Sequence, residues 1–360
     1  MAQITSFFLA FLLSILSIFF PFGNNKEEVD QTNWKTNYPY VFVHGLMGWG
    51  SYDSQYDLMP YWGMFGGELL SKLNAKGYDC YAASVAPSDS AWDRACELYA
   101  QLTGTVVDYG KEHSERCGHD RFGKDFTGIA LIDKWDAENK INLLGHSFGG
   151  ATIRVFASLM AIGSEAEINA TDSDDISPFF LGGKEDWIYS LTALAAPHNG
   201  TTAYGESSTD IDSAAYDMYI DNAYALNETI YTSEGTYYFS LPCSATVQNA
   251  DGTHSADENL METMFQSSAN EMGKYTGTTA AGRVIDNSWQ ENDGLVNTIS
   301  AMAPSSAPSK VFDANNIESG VWNILPTYKG DHMSLQGGLL KTNTDVERLY
   351  TEHLAMINGL

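Results

Sequence analysis

The feature that most constrains this chain is the pentapeptide Gly145-His-Ser-Phe-Gly149 together with its surroundings. It follows an apolar segment, 140–144, that predicts a buried strand, and it opens a helical pattern over 149–162 whose first residues are all small. A G-x-S-x-G turn between a strand and a helix is typical of a nucleophile elbow, which exposes the serine hydroxyl and needs small neighbours. Ser147 is therefore the candidate nucleophile; the alternative is a glycine-rich turn whose serine has no chemical role.

Acyl transfer at Ser147 would require two backbone N–H groups that stabilise an oxyanion. The N–H of Phe148, which follows the serine, is one candidate. The apolar run Tyr40–Val43 predicts an early strand, and it leads into the glycine-rich segment His44-Gly-Leu-Met-Gly-Trp-Gly50. A turn at that position predicts Leu46 N–H as the second donor. A flexible surface loop would explain the glycines but not the apolar strand before them.

The serine also requires a histidine base and a carboxylate that orients it. In proteins whose serine lies on such a strand-to-helix elbow, the chain order is serine, acid, histidine. Four histidines follow Ser147. His198 precedes any plausible acid, His254 lies in a polar loop, and His353 lies on a C-terminal helical pattern where exposure to solvent is expected. His332 follows an extended stretch late in the chain and is the predicted base.

The predicted acid is Asp293, in the turn Glu291-Asn-Asp-Gly-Leu-Val296 that opens into an apolar run. Strand and helix patterns alternate from residue 37 onward, which favours an α/β fold with a mostly parallel sheet and helices on both faces. No linker divides residues 37–360, so one domain with insertions is predicted.

Several longer motifs are similar to those of one known family. They are Val43-His-Gly-Leu-Met-Gly-Trp-Gly50, Tyr61-Trp-Gly63, Trp92-Asp-Arg-Ala-Cys-Glu97, His119-Asp-Arg-Phe-Gly123, Ala196-Pro-His-Asn-Gly-Thr-Thr202 and Asn292-Asp-Gly-Leu-Val-Asn-Thr298. With these motifs the chain resembles the bacterial lipases of the Geobacillus/Staphylococcus type over nearly all of residues 37–360. The resemblance implies an α/β-hydrolase fold and carboxylic-ester hydrolysis. It also assigns the triad to Ser147, Asp293 and His332.

The resemblance further implies a structural Zn²⁺ site in a small insertion. Its ligands would include Asp93, His113 and His119, and carboxylate and imidazole donors suit zinc. The family's fourth ligand is an Asp in a segment that is short in this chain. Asp210 or Asp212 could replace it only if the loop reached the other three residues.

The same shortening leaves only about residues 203–207 where the family has its lid helices, so a reduced lid is predicted. No calcium site is expected, because Met333-Ser334 follows His332 where the family has an acidic ligand. Met47, Trp49, Tyr61 and Trp62 are the apolar candidates for an acyl-binding pocket. A lid-poor esterase for bulky or polymeric esters is one interpretation, and a long-chain lipase is another.

The remaining composition restricts compartment and partners. The chain carries 46 Asp and Glu against 19 Lys and Arg, a net charge of −27, which argues against nucleic acid and anionic membrane surfaces as partners. No protein partner is indicated. Residues 1–25 predict a signal peptide, or a membrane anchor if the segment is retained, and residues 26–36 a linker. Secretion follows from that, and the four cysteines are expected to be free thiols.

Two functional alternatives use the same residues differently. One is a catalytically silent, zinc-bearing binding protein, which the complete serine, acid and histidine set opposes. The other is an acyltransferase that uses the same triad.

Overall fold

The computed structural model describes residues 29, 31–340 and 346–360. Residues 31–360 form one compact unit. The apolar segment at 4–20 and the export or anchor prediction built on it lie outside the described residues. None of the described helices is both long and apolar enough to cross a bilayer. The predicted boundaries of the segment, linker and domain stay predictions.

The central sheet consists of parallel strands in the order β13-β14-β7-β6-β5-β1-β2. These strands are Tyr40–Val43 (β1), Cys80–Ala83 (β2), Ile141–His146 (β5), Ile188–Leu194 (β6), Tyr237–Leu241 (β7), Ser309–Val311 (β13) and Trp322–Ile324 (β14). Short two-stranded sheets pair Val106–Asp108 (β3) with Phe122–Asp125 (β4), Cys243–Ser244 (β8) with Tyr328–Lys329 (β15), Thr246–Gln248 (β9) with His254–Ala256 (β10), and Gly277–Thr278 (β11) with Val284–Ile285 (β12).

Helices cover the sheet and connect its strands. They are Leu69–Ala75 (α1), Ala91–Thr103 (α2), Lys111–Cys117 (α3), Gly149–Ile162 (α4), Glu165–Ala170 (α5), Ala214–Asp217 (α6), Ile220–Asn227 (α7), Thr263–Met272 (α8) and Glu347–Asn358 (α9). Short 3₁₀ turns are Met64–Gly66, Pro178–Leu181, Glu185–Trp187, Asn287–Trp289 and Ser334–Gln336.

Strand β1 shows why both faces of the sheet are covered. All four of its residues are buried. Val41 and Val43 join the core cluster that includes the apolar side of α4. The Phe42 ring on the other face lies 5.7 Å from that of Tyr350 in α9. A parallel strand buried on both sides reads as a continuous apolar run, and this property made β1 and β5 recognisable in the sequence.

The sequence located most elements near the site correctly. The helical pattern over 149–162 is helix α4, and Gly104 and Gly110 flank β3 between α2 and α3. Gly104 ends α2 with φ 64°, a left-handed conformation that glycine adopts without steric cost. All four cysteines are free, as expected from the sequence, and Cys117 alone is only partly buried.

Candidate active site

Ser147 lies on a strained turn between β5 and α4. Its φ is 55°, in the left-handed region that side-chain-bearing residues rarely adopt. The turn is held because Ser147 N–H donates to Leu194 O of the adjacent strand at 2.8 Å. A Cβ on Gly145 would lie 2.3 Å from Gly149 O, and a Cβ on Gly149 would lie 2.4 Å from Val43 O. Both glycines are therefore needed for the close approach of strand and helix that exposes the serine hydroxyl.

The structure brings the three residues of the expected triad together. His332 Nε2 lies 2.8 Å from Ser147 Oγ, and His332 Nδ1 lies 2.8 Å from Asp293 Oδ2. All three are buried, Ser147 being 7% exposed. With the Nδ1 proton directed to Asp293, the Nε2 lone pair faces the serine hydroxyl, as proton abstraction requires.

The acid and the base are also fixed through their backbones. Asp293 Oδ1 accepts hydrogen bonds from the N–H groups of Leu295 and Val296 at 3.0 and 2.7 Å. His332 N–H donates to Asp293 O at 2.9 Å. Asp293 Oδ1 is thus held by backbone N–H groups of its own turn, and only Oδ2 faces the imidazole. Because Oδ2 alone is available, it fixes the orientation of the His332 ring.

The N–H groups of Leu46 and Phe148, expected at an oxyanion hole, are not used in hydrogen bonds among the described residues, whereas the neighbouring N–H of Met47 is. Met47 has φ 58°, and its N–H donates to Pro87 O at 2.7 Å. Within the described residues, no protein acceptor lies at hydrogen-bond distance from Leu46 N–H or Phe148 N–H. Leu46 and Phe148 therefore keep donors available beside Ser147, whereas Met47 does not.

A buried hydrogen-bond chain connects the loop at Gly45 to the loop of the histidine. Gly45 N–H donates to Tyr61 Oη at 3.0 Å, and Tyr61 Oη lies 2.6 Å from His146 Nδ1. His146 Nε2 lies 2.8 Å from His332 O. Burial, followed by the nearby His332, lowers the pKa of His146 to about 3, so the ring is neutral. A single tautomer satisfies the chain, with Tyr61 donating to Nδ1 and Nε2–H donating to the carbonyl.

The residues predicted to bind substrate separate into two pairs. Met47 is 41% exposed, and Trp49 is partly buried with its indole N–H donating to Met59 O at 2.7 Å. Trp62 is fully buried, with its ring centroid 5.0 Å from Phe42, and Tyr61 is 5% exposed. The expectation that Trp62 lines an acyl pocket is wrong, because the core surrounds its ring. The Tyr61 hydroxyl is hydrogen-bonded to Gly45 N–H and His146 Nδ1, so it positions these two groups.

The other histidines after Ser147 have structural roles. His198 is 2% exposed and packs edge-on against Trp322, with ring centroids 4.7 Å apart. His254 lies on β10. The expectation of a solvated His353 is wrong, because its Nε2 lies 2.8 Å from Thr192 Oγ1 and burial lowers its pKa to about 4. The amphipathic pattern of α9 did not reveal that this histidine faces the sheet.

A second cluster lies in the insertion that contains β3, α3 and β4. Asp93 lies in the first turn of α2, His113 in α3, and His119 just after the C-terminal glycine of α3. The short loop before α6 brings Asp212 to them, whereas Asp210 is exposed and its Oδ1 accepts Asp212 N–H at 3.1 Å. The sequence had left Asp210 and Asp212 open, and neither residue spacing nor composition distinguished them.

Several of these donor atoms lie within 4 Å of one another. His113 Nε2 lies 2.9 Å from Asp93 Oδ1 and 3.3 Å from Asp212 Oδ1, and His119 Nε2 lies 3.2 Å from Asp212 Oδ2. Ligands about 2.0–2.1 Å from a tetrahedral Zn²⁺ are roughly 3.3 Å apart. The Nε2 atoms of both histidines and Oδ1 of both aspartates are buried without a hydrogen-bond partner of acceptable geometry. A possible metal-binding group therefore exists, formed by His113, Cys117, His119 and Asp212, and Asp93 lies beside it.

The carboxylates and the side chains around His113 determine its protonation, which a bound ion would change. Burial alone would lower the pKa of His113, but the carboxylates of Asp212 and Asp93 outweigh it and raise the pKa to about 9. His113 Nδ1 lies 3.0 Å from Arg116 Nη2 and 4.0 Å from Cys117 Sγ. An ion can bind Nε2 only after that nitrogen has lost its proton, so metal binding would release a proton from His113.

Comparison with known proteins gives consistent matches. A family model described as "Lipase-like, C-terminal domain" matches residues 36–211 and 205–359. The lipase of Staphylococcus hyicus is 31% identical, and the match covers 85% of this chain and 54% of that protein. Lipase 2 of Staphylococcus aureus is 30% identical, with 86% and 52% covered. The chain spans about half the length of these curated relatives.

Solved structures match over nearly the whole of the chain. EstA from Clostridium botulinum has a TM-score of 0.83 at 32% identity, covering 91% of this chain and 88% of that one. Staphylococcus hyicus lipase has a TM-score of 0.78 at 28% identity, covering 92% and 98%. Lipase 1 from Pelosinus fermentans has a TM-score of 0.75 at 31% identity, covering 88% and 97%. The parallel sheet and these matches establish an α/β-hydrolase fold.

Proposed function

Because the chain belongs to the lipase-like family, we propose that it is a serine carboxylic-ester hydrolase whose nucleophile is Ser147. The observation that carries the proposal is the continuous hydrogen-bonded chain from Ser147 Oγ through His332 to Asp293, with 2.8 Å at each step. An esterase needs the serine proton to be accepted by a correctly oriented imidazole, and this chain provides that orientation.

In the proposed reaction, Ser147 Oγ attacks the ester carbonyl carbon while His332 Nε2 accepts the hydroxyl proton. The carbonyl oxygen becomes an oxyanion that accepts hydrogen bonds from Leu46 N–H and Phe148 N–H. His332 then protonates the leaving alcohol, which departs and leaves an acyl-enzyme. A water that gives its proton to His332 then attacks the acyl carbon. As the bond between that carbon and Ser147 Oγ breaks, His332 returns the proton to Oγ, and the carboxylic acid leaves. Asp293 stabilises the imidazolium at each stage.

Replacement of the nucleophile tests this proposal. Ser147→Ala should lower hydrolysis of p-nitrophenyl butyrate by at least about 10⁴-fold, since triad members act as a unit. Ser244→Ala is the matched control, because Ser244 is buried and its hydroxyl has no hydrogen-bond partner in the described part of the chain. A fluorophosphonate probe should label the wild type and Ser244→Ala but not Ser147→Ala. Full hydrolysis by Ser147→Ala, or an unlabelled and inactive wild type, would overturn the proposal.

For substrate, we propose an open acyl groove that admits bulky or polymeric esters. The chain runs from Thr202 to the start of α6 at Ala214 in eleven residues, without a helix in between. This leaves little chain for a lid, and Met47 beside the oxyanion loop is exposed. Activity on tributyrin should rise smoothly through the solubility limit, and films of aliphatic polyester should be hydrolysed. A sharp increase at the emulsion boundary would instead favour a lidded long-chain lipase.

For the metal-binding group, we propose structural Zn²⁺ held by Asp93, His113, His119 and Asp212. When bound, the ion would supply a cross-link between α2, α3 and the loop before α6, and no step of the ester reaction uses it. Zinc should raise the melting temperature of chelator-treated protein, and metal analysis should give about one zinc per chain. A Co²⁺-loaded sample distinguishes the ligands, because ligation by Cys117 would add a sulfur-to-cobalt charge-transfer band, and the proposed set would not. No thermal response to zinc would contradict the assignment.

We also propose that the protein is exported. The support is the apolar segment at 4–20, which precedes a polar stretch. Expression of the full chain should give a secreted product whose N-terminus, determined by mass spectrometry, lies near residue 25. Retention of the complete chain in the membrane fraction would instead indicate an anchor.

A further inference from the structure

Arg94 is a fully buried cation in the middle of the molecule. It lies on α2 next to Asp93 and is 0% exposed. Its guanidinium reaches the loop that follows β1: Nη2 donates to His44 O at 2.5 Å, and Nη1 lies 3.1 Å from Ala86 O and 3.5 Å from Gly45 O. Its N–H groups therefore hold backbone carbonyls of two loops.

No carboxylate among the described residues lies within ion-pair distance of this guanidinium. Every ion pair closer than 4 Å involves other residues. Burial lowers the pKa of Arg94 to about 10, which leaves it charged near neutral pH. A buried charge is costly unless polar groups compensate it. Here the direct contacts are the carbonyls and one hydroxyl, while the carboxylates of Glu97 and Asp89 act on the guanidinium from beyond ion-pair distance.

The carbonyl of Gly45 belongs to the same peptide unit as Leu46 N–H. In a trans peptide the C=O and N–H point in opposite directions. Arg94 Nη1 and His44 Nδ1, at 3.5 and 2.9 Å, both lie on the Gly45 oxygen. Holding this oxygen toward Arg94 directs Leu46 N–H to the opposite side. A donor on the carbonyl also polarises the peptide and makes its N–H a stronger donor.

The same side chain contacts the other half of the oxyanion hole. Arg94 Nε donates to Thr152 Oγ1 at 2.9 Å, and that hydroxyl lies 3.3 Å from Phe148 O in the first turn of α4. The guanidinium carbon lies 5.1 Å from the centre of the Phe148 ring. One cation therefore touches the segments that present both Leu46 N–H and Phe148 N–H.

We propose that Arg94 is a positioning residue for the oxyanion hole: it fixes the Gly45–Leu46 peptide against the start of α4, and its positive charge favours the oxyanion of the tetrahedral intermediate. This inference rests on the proposed ester hydrolysis. It explains why α2 places a guanidinium, bonded to backbone carbonyls and to no carboxylate among the described residues, behind the loop that follows β1. Since the charge acts through the peptide units, the ester in its ground state gains less from it than the oxyanion does.

The test compares Arg94→Met and Arg94→Lys with Arg154→Met. Arg154 is a matched control, because it is also buried, also lacks a carboxylate within 4 Å among the described residues, and donates to Asn227 Oδ1 on the other side of α4. Active-site titration with a fluorophosphonate gives the concentration of competent protein, so that rates refer to folded molecules. The readouts are kcat and KM for p-nitrophenyl butyrate and the inhibition constant of a short alkyl trifluoromethyl ketone. Ser147 Oγ adds to the ketone carbon, its proton passes to His332, and the carbonyl oxygen becomes an alkoxide.

Arg94→Met should lower kcat about 10- to 100-fold and weaken ketone binding by a similar factor with little change in KM. Arg94→Lys keeps a charge but cannot reach all three carbonyls, so its losses should be intermediate. Arg154→Met should stay within about 2-fold of wild type on both measures. Equal per-molecule losses in Arg94→Met and Arg154→Met, or an unchanged Arg94→Met, would overturn the proposal. If Arg94→Met does not fold, wild-type values for Arg94→Lys would overturn it. Failure of the proposed function is separate, because the wild type itself would then be neither labelled nor active.

Discussion

The serine site and the metal-binding group use the same residue types in opposite ways. At the serine site, every polar atom of Asp293 and His332 described above has a hydrogen-bond partner, and the Nε2 lone pair faces Ser147. In the group around His113 and Asp212, nitrogen and oxygen atoms of similar burial face one another without such partners. Buried polar atoms without partners are costly. The first arrangement is complete in the protein alone, whereas a bound ion would satisfy the atoms of the second.

The largest expected effect comes from replacing Asp293 at the serine site. In Asp293→Asn, the N–H groups of Leu295 and Val296 would keep the amide oxygen at the Oδ1 position, and the amide NH₂ would face His332 Nδ1. The imidazole would then carry its proton on Nε2, toward Ser147, and could not accept the serine proton. We expect kcat for p-nitrophenyl butyrate to fall about 10⁴-fold with little loss of stability.

The control for this experiment is Asp313→Asn, an exposed carboxylate that accepts Asn315 N–H at 3.0 Å. It should behave as wild type. A fall of less than 10-fold in Asp293→Asn would mean that a different carboxylate orients His332.

The second effect concerns the metal side. Asp212→Asn replaces an anionic donor by a neutral amide, so zinc affinity should fall by about 100-fold or more, and the thermal stabilisation by zinc should be lost at matched concentrations. Asp210→Asn, in the same loop but exposed, should bind zinc as the wild type does. Competition with a chromophoric chelator measures both affinities.

Two results would contradict the role given to Asp212. One is equal zinc affinity in the two variants, and the other is a large loss of serine-site activity in metal-free wild type at a temperature where it remains folded. The second result would mean that the two regions are not independent.

The smallest effect tests the completeness of the hydrogen bonds at the serine site. Tyr61→Phe leaves Gly45 N–H and His146 Nδ1 buried without their partner, which should lower the free energy of unfolding by about 1–3 kcal/mol. Tyr52→Phe is the control, because the Tyr52 hydroxyl donates to Ile129 O in a more exposed setting. Urea denaturation of both variants gives the two values. Equal losses would show that the buried chain contributes no more than a surface hydrogen bond.

The sequence predicted those parts of the site that depend on chain order and local crowding. The elbow at Ser147 was visible because strand, turn and helix are consecutive, and small residues are required where they meet. His332 and Asp293 followed from chain order together with the resemblance. The structure brings all three within 2.8 Å hydrogen bonds.

The parts of the site that the sequence did not predict depend on contacts between segments that are distant in sequence. Trp62 is a candidate for the acyl pocket by sequence, but it is buried between the sheet and α9, because its neighbours Phe42 and Tyr350 come from distant segments. Asp212 and Asp210 are two residues apart in a loop, and only the path of that loop decides which one reaches His113. The role inferred for Arg94 depends on carbonyls that the loops after β1 and β2 bring to its guanidinium, which no local pattern encodes.

The left-handed conformation of Ser147 has a consequence for how such an enzyme could change over time. A residue with a side chain at φ 55° is strained by about 1–2 kcal/mol, and glycine would not be. Ser147→Gly should therefore yield a more stable but inactive protein. Without selection for catalytic activity, substitution by glycine at this position would be favoured by stability. Selection for turnover is therefore what retains the serine.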